Sequence, residues 1–165
     1  SEFNNPSLRI YINDDVKGVE LCGAVKNVMA IAAGASDSLG LGESAKASLI
    51  TRGLNEIGEF LKFYGCNQKT LLGPAGIGDL VATCSSQLSR NYRVGYFLAE
   101  GKKLEDIQRK LGEVAEGVNT ANAVHKIIVE NNLSMPICTE IFKVINDECN
   151  AVDALLSLMK RPVSK

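Results

Sequence analysis

The segment Gly18–Gly34, reading GVELCGAVKNVMAIAAG, constrains this chain most, because it sets one charged side chain, Lys26, into an otherwise apolar helical face. The helical neighbours of Lys26, three, four and seven residues away, are Val19, Cys22, Gly23, Met29, Ala30 and Ala33, with no carboxylate among them. A lysine so placed either runs its ammonium out to water along its own stem or points into a cleft where something needs it. The segment alone leaves both readings open.

Helical punctuation continues from Val16 onward. A helix over about Val16–Ala33 is expected to stop near Gly34, and a small-residue loop over Ala35–Gly42 leads to a second helix, about Glu43–Tyr64. In the second helix Ile50, Leu54, Ile57, Leu61 and Tyr64 form one core-facing stripe, and Gly65 is its stop. Ser89 is placed to cap a helix over about Arg90–Glu100, and Leu104–Leu111 closes at Gly112. Asn119 or Thr120 is expected to cap a helix reaching about Asn131, and Pro136 suits the first turn of the next. Asn150 with Asp153 caps a last helix bearing Leu155 and Leu158. Only Leu8–Ile12 alternates with period two, which predicts a short strand with no partner later in the chain. The fold class is therefore all-α, about seven helices, with a short leftover N-terminal strand.

At 165 residues the chain fits one domain with a real core. A net charge of −1, with 18 basic and 19 acidic residues spread along the chain, gives no footprint for nucleic acid or an anionic membrane. Charges interrupt every apolar run before the roughly 18 residues a bilayer span needs, so a soluble protein is expected. The five cysteines, at positions 22, 66, 84, 138 and 149, contain no CxxC pair, which argues against a disulfide framework or a zinc site and for a reducing, cytoplasmic setting. Ser1–Phe3 reads as a cloning remnant. Residues 4–15 read as a linker or the end of a preceding domain, and 16–165 as the helical domain.

Three loops carry candidate chemistry. Gly40-Leu41-Gly42-Glu43-Ser44-Ala45 formally satisfies G-x-G-x-x-A, but no strand precedes it, so a helix-helix turn is expected rather than a dinucleotide site. Gly73–Asp79 packs three glycines into six residues and delivers one carboxylate, Asp79, which either caps a helix or holds the Lys26 ammonium in place. Ser89-Arg90-Asn91 puts a hydroxyl, a guanidinium and a carboxamide at a helix start, where free N–H groups and the helix dipole favour an anion, or is simply a capped surface helix. Glu116, before Gly117, can accept from an amide or a ribose or be solvated. His125, within an apolar helix, is expected to be structural.

The order of these segments, Gly18–Asn27, Gly76–Leu80, Thr83-Cys84, Ser89–Asn91 and Val114–Gly117, closely resembles the C-terminal domain of bacterial-type NAD(P)-dependent glycerol-3-phosphate dehydrogenases, over about Leu8–Leu158. The resemblance implies a helical domain of the 6-phosphogluconate dehydrogenase C-terminal-like type. It also implies reduction of dihydroxyacetone phosphate to sn-glycerol 3-phosphate for glycerophospholipid synthesis. By the same resemblance Lys26 handles the proton at the substrate C2 oxygen. Asp79, Ser89, Arg90 and Asn91 hold substrate, Asn27 and Thr83 line its pocket, and Arg90, Val114 and Glu116 contact the cofactor. That cofactor, NAD or NADP, would be held mainly by an N-terminal dinucleotide domain, so the 165-residue chain alone is expected not to turn over. A homodimer is left open. Two other readings keep the helical architecture: a 3-hydroxyacid or 6-phosphogluconate-type dehydrogenase, and a non-catalytic dimerisation module.

Overall fold

The structure is a computed structural model and describes residues 3–112 and 115–160. Its described residues form nine α-helices and one π-helical turn. The helices are α1 (Val16–Ser38), α2 (Glu43–Phe63), α3 (Gln68–Leu71), α4 (Asp79–Ser85), α5 (Arg90–Ala99), α6 (Leu104–Leu111), α7 (Glu116–Asn131), α8 (Pro136–Ile145) and α9 (Ala151–Lys160), with the π-turn at Pro74–Gly78.

Helix α1 is the axis of the fold, with α2, α4, α5, α7 and α8 all packed on it. Between Val25 and Gly34 every residue except Lys26 is buried. Its start is tied down by Asp15, whose carboxylate accepts from the Gly18 N–H at 3.1 Å, the Asn67 N–H at 3.0 Å and the Thr70 hydroxyl at 2.7 Å. The Thr70 hydrogen bond is the main influence holding the Asp15 carboxyl below its usual range. One side chain thereby fixes α1 against the start of α3.

Four expectations are corrected. First, α1 does not stop at Gly34 but runs on to Ser38. Gly34 is there for packing: a Cβ on it would lie 1.9 Å from the carbonyl oxygen of Tyr92 in α5. Gly95 of α5 answers it, since a Cβ there would lie 1.8 Å from the Ile31 carbonyl oxygen. The two helices cross with backbone on backbone, which a sequence reader takes for a helix stop.

Second, Leu8–Ile12 forms no strand. The only pairing nearby is an isolated bridge from Asn5 to Leu8, and Leu8, Ile10, Tyr11 and Ile12 are all exposed. With no second strand among the described residues to receive its N–H and C=O groups, alternation alone cannot hold a strand. Third, α7 begins at Glu116, with Ala115 as its N-cap, so Asn119 and Thr120 lie inside it. Fourth, α1 is long and apolar enough, by length and composition, to cross a membrane, although 67% of its most apolar window is buried within the protein.

The remaining boundaries follow their signals closely. Gly40 and Gly42, at φ +68° and +82°, make the tight turn between α1 and α2. Asn150 Oδ1 accepts from the Asp153 N–H at 2.9 Å to cap α9. His125 stacks on Phe142 with ring centroids 3.7 Å apart, a packing role.

The start of α8 holds a feature the sequence hides. Glu56 of α2, only 5% exposed, accepts from the Ile137 N–H at 2.6 Å and the Cys138 N–H at 3.1 Å. Burial pushes its carboxyl up to about 7, against the opposing pull of those two N–H groups. An unfolded glutamate loses its proton near pH 4.5, so between there and about pH 7 the folded protein keeps a proton the unfolded chain has released. Stability therefore falls as pH rises through that window, by about 2–3 kcal/mol. Urea unfolding between pH 5 and pH 8 should show this decline in the wild type and a flatter profile in Glu56→Gln. Parallel profiles would remove Glu56 as the cause.

Candidate functional site

Lys26 does not snorkel. Its ammonium reaches across to α4 and ion-pairs with Asp79 Oδ2, with 21% of the lysine side chain and 40% of the aspartate exposed. The pair thus sits at an opening, neither sealed in the core nor free on the surface. Two local features place the carboxylate. The π-turn brings the chain in close, because Gly76 lies where a Cβ would be 2.1 Å from the Leu71 carbonyl oxygen. Asp79 is then the first residue of α4, and Thr83 one turn later donates its hydroxyl to the Asp79 carbonyl at 2.7 Å, with Oδ1 a second acceptor at 3.3 Å. The side chain of Asp79 is therefore spent on Lys26 and not on capping its own helix.

The next residue of α1 extends the group to α7. Asn27, buried at 8% exposure, donates its amide to the Gly23 carbonyl at 3.3 Å and to Glu116 Oε2 at 3.4 Å. Glu116 is itself exposed, in the first turn of α7, where the helix dipole favours a carboxylate. Asn91 of α5 meets the same helix start, its Oδ1 accepting from the Gly117 N–H at 2.9 Å. Ser89 caps α5 by accepting from the Tyr92 N–H at 3.3 Å, and Arg90 beside it is exposed.

Between α1, the π-turn, α4 and α7 lies a cleft of about 570 Å³, whose walls include Asn27, Asp79 and Glu116. The walls also include Gly23 and Ala24, small residues beside Lys26 that suit clearance for a substrate, and Glu20, Asn119 and Thr120, which sequence reasoning did not select. A signal for them was present. Glu20, Gly23, Ala24 and Asn27 share one helical stripe, as do Glu116, Asn119 and Thr120 once α7 is known to begin at 116. Gly23 and Ala24 give the cleft its clearance.

Of the expected site residues, Asn27, Asp79 and Glu116 line the cleft, Lys26 and Thr83 reach it through Asp79, and Asn91 meets it only through the Gly117 N–H. Ser89 and Arg90 lie at the adjoining start of α5, outside the cleft walls. Val114 falls outside the described residues. A second cavity of about 140 Å³, between α1, α2, α8 and α9, contains none of these residues and is lined mainly by aliphatic side chains such as Leu39, Leu49, Ile141 and Leu158. Its ionisable lining is Arg52 and Glu140, the latter ion-paired with Lys143, whereas the polar cleft carries Asp79 and Glu116 beside Lys26.

Cys22 and Cys84 do not compete for a proton-transfer role. Burial pushes the Cys22 thiol, one turn before Lys26, up to about 11 and the Cys84 thiol to about 12, so both stay protonated at neutral pH. Among the described residues no group of three His, Cys, Asp or Glu side chains could hold a metal ion. Chemically, then, the cleft has at its edge an ammonium paired with the wall carboxylate Asp79, with a carboxamide and further carboxylates along its walls. That set can stabilise and protonate an oxygen on which negative charge develops.

A sequence profile described as the NAD-dependent glycerol-3-phosphate dehydrogenase C-terminus matches residues 15–156. The chain is 45% identical, over 159 residues, to the glycerol-3-phosphate dehydrogenase [NAD(P)+] of Oceanobacillus iheyensis, covering 96% of this chain and 46% of that one. It is 50% identical over 145 residues to the protein of the same name from Aromatoleum aromaticum, covering 88% of this chain and 44% of that one. Among solved structures, glycerol-3-phosphate dehydrogenase from Coxiella burnetii superposes with a TM-score of 0.91 at 41% identity, over 96% of this chain and 49% of that one. The Saccharomyces cerevisiae enzyme superposes with a TM-score of 0.87 at 27% identity, over 96% and 46%. The chain spans just under half the length of these relatives. The all-α architecture, the cleft built on α1 and α7, and these matches together place the chain in the NAD-dependent glycerol-3-phosphate dehydrogenase family, as its C-terminal domain.

Proposed function

We propose that this domain supplies the substrate site and proton-transfer group of an enzyme interconverting dihydroxyacetone phosphate and sn-glycerol 3-phosphate, feeding glycerophospholipid synthesis. The observation that carries the reading is the Lys26–Asp79 pair at the edge of a polar cleft. Reduction of a ketone places negative charge on its oxygen, and the Lys26 ammonium stabilises that charge and gives up a proton to it. In the oxidation direction the neutral amine takes the proton back. Asp79, a wall of the cleft, keeps the amine at its edge, and Thr83 keeps Asp79 in place. Ser89, Arg90 and Asn91, at the start of the ten-residue α5, hold the phosphate, which free backbone N–H groups and a guanidinium suit.

NAD or NADP supplies the hydride when bound. Arg90, Val114 and Glu116 are read from the resemblance as contacting its near end; Glu116 is an exposed wall of the cleft and Arg90 is exposed at the adjoining start of α5. The described residues contain no strand to carry a pyrophosphate-binding glycine turn, so the cofactor is read as held mainly by the part of the relatives' length outside this segment. The five cysteines, all unpaired, support a reducing, cytoplasmic setting. A homodimer is also proposed, testable by the mass of the protein in solution.

Asp79→Asn separates orientation from charge. In a polypeptide of the relatives' full length carrying this segment, it should lower kcat for dihydroxyacetone phosphate about tenfold to a hundredfold, since one charge-assisted hydrogen bond is lost. Unchanged kcat would contradict the role given to the pair.

A further inference from the structure

We infer that Gly117 is a positioning residue for the anionic end of the substrate, acting through Asn91. The inference rests on the proposed reading of Ser89–Asn91 as the phosphate-holding helix start. A carboxamide is nearly symmetric in shape but opposite in function at its two ends: one oxygen accepts and one nitrogen donates. A phosphate accepts only, so an asparagine serves it in one of two orientations and repels it in the other. The structure fixes the choice. The Gly117 N–H donates to Asn91 Oδ1 at 2.9 Å in a buried contact 26 residues apart in sequence. With its oxygen turned toward α7, Asn91 offers the two N–H donors of its amide to a partner on the opposite side. Turning the amide over would bring its NH2 against the Gly117 N–H, donor against donor, at a site only 8% exposed.

Only glycine permits this contact. A Cβ at position 117 would lie 2.7 Å from Asn91 Oδ1 and 2.8 Å from the carbonyl oxygen of Asn27. The first neighbour is the group being oriented, and the second is backbone of α1 that cannot swing away. Gly117 does not adopt a left-handed conformation, so the requirement is for space and not for backbone freedom. The same helix start presents Glu116 to Asn27, so the first turn of α7 is wedged between α1 and α5 by a residue with no side chain.

The test uses a polypeptide of the relatives' full length carrying this segment, assayed with dihydroxyacetone phosphate and with dihydroxyacetone, which lacks the phosphate. The readout is the ratio of kcat/KM for the two substrates, which general loosening of the fold does not shift selectively. Gly117→Ala should lower that ratio about tenfold to a hundredfold, the worth of one hydrogen bond to a charged group, and the double variant with Asn91→Ala should be no worse than Asn91→Ala alone. If Asn91→Ala leaves the ratio unchanged, the phosphate reading of α5 fails. If Asn91→Ala lowers it and Gly117→Ala does not, the role given to Gly117 fails while that reading stands. Should Gly117→Ala not fold, Asn91→Asp decides: it still accepts from the Gly117 N–H but turns a negative charge toward the phosphate. The ratio should then fall at least as far as in Asn91→Ala with the melting temperature retained, and a wild-type ratio would overturn the proposal.

Discussion

Replacing Lys26 with alanine, in a polypeptide of the relatives' full length, should lower kcat for dihydroxyacetone phosphate by about a thousandfold while leaving the fold intact. The magnitude follows from losing a general acid together with charge stabilisation at the developing oxyanion. The fold should survive because, from Val25 to Gly34, Lys26 is the one residue that is not fully buried, so the core of α1 stays in place without it. Alanine is also the stronger helix former, and the Asp79 carboxylate left behind is 40% exposed and can be solvated. Lys26→Arg should recover little, because a guanidinium keeps the charge but does not release its proton. A kcat within threefold of wild type for Lys26→Ala, or unfolding of α1, would reject this assignment.

The second large effect is on stability. Gly34→Ala and Gly95→Ala should each destabilise the domain by about 3 kcal/mol or more, at the top of the range for overpacking, because the colliding atoms are main-chain carbonyls that no rotamer change can move. The same crossing carries α5, and with it Ser89–Asn91, to the cleft, so activity should fall in parallel. Gly23→Ala is the contrast. Nothing lies within 4 Å of its built Cβ, so helix propensity predicts a gain of about 0.5–1 kcal/mol, while the added methyl narrows the cleft that Gly23 lines and should raise KM. Urea midpoints for the three variants check both signs. Equal destabilisation of all three would mean that the α1–α5 approach is not what makes the glycines necessary.

These glycines mark where sequence reasoning reached its limit. Elements with local signals were legible: Gly112 in the left-handed region closes α6, Pro136 opens α8, and Ser89 caps α5 with its own hydroxyl. Elements decided by a distant partner were not. Gly34 looks like a stop and is a contact with Tyr92. The start of α7 is set by Asn91 accepting from Gly117, and that of α8 by Glu56 accepting from Ile137 and Cys138, partners 26 to 82 residues away. Leu8–Ile12 shows the converse: strong alternation with nothing to pair with yields no strand. For the site, residue types and spacing singled out Lys26, Asp79 and the Ser89–Asn91 start. That Lys26 and Asp79 meet, 53 residues apart, depended on the π-turn and on Gly76, whose close approach to Leu71 no spacing rule encodes.

The fold also explains why the lysine can work without weakening the core. Helix α1 buries nearly everything around Lys26, and Gly23 and Ala24 open space only on the cleft side. The buried helix thus anchors the lysine backbone, α4 brings Asp79 to its ammonium, and α7 brings Glu116 to the neighbouring Asn27.

The most direct test is a crystal structure of a full-length protein carrying this segment, with sn-glycerol 3-phosphate bound. The substrate C2 oxygen should lie within hydrogen-bond reach of Lys26 Nζ, at about 3 Å, with the phosphate at the start of α5 against Asn91 and Arg90. A ligand bound elsewhere, or one whose C2 oxygen lies beyond reach of Lys26 while its phosphate avoids α5, would contradict that placement.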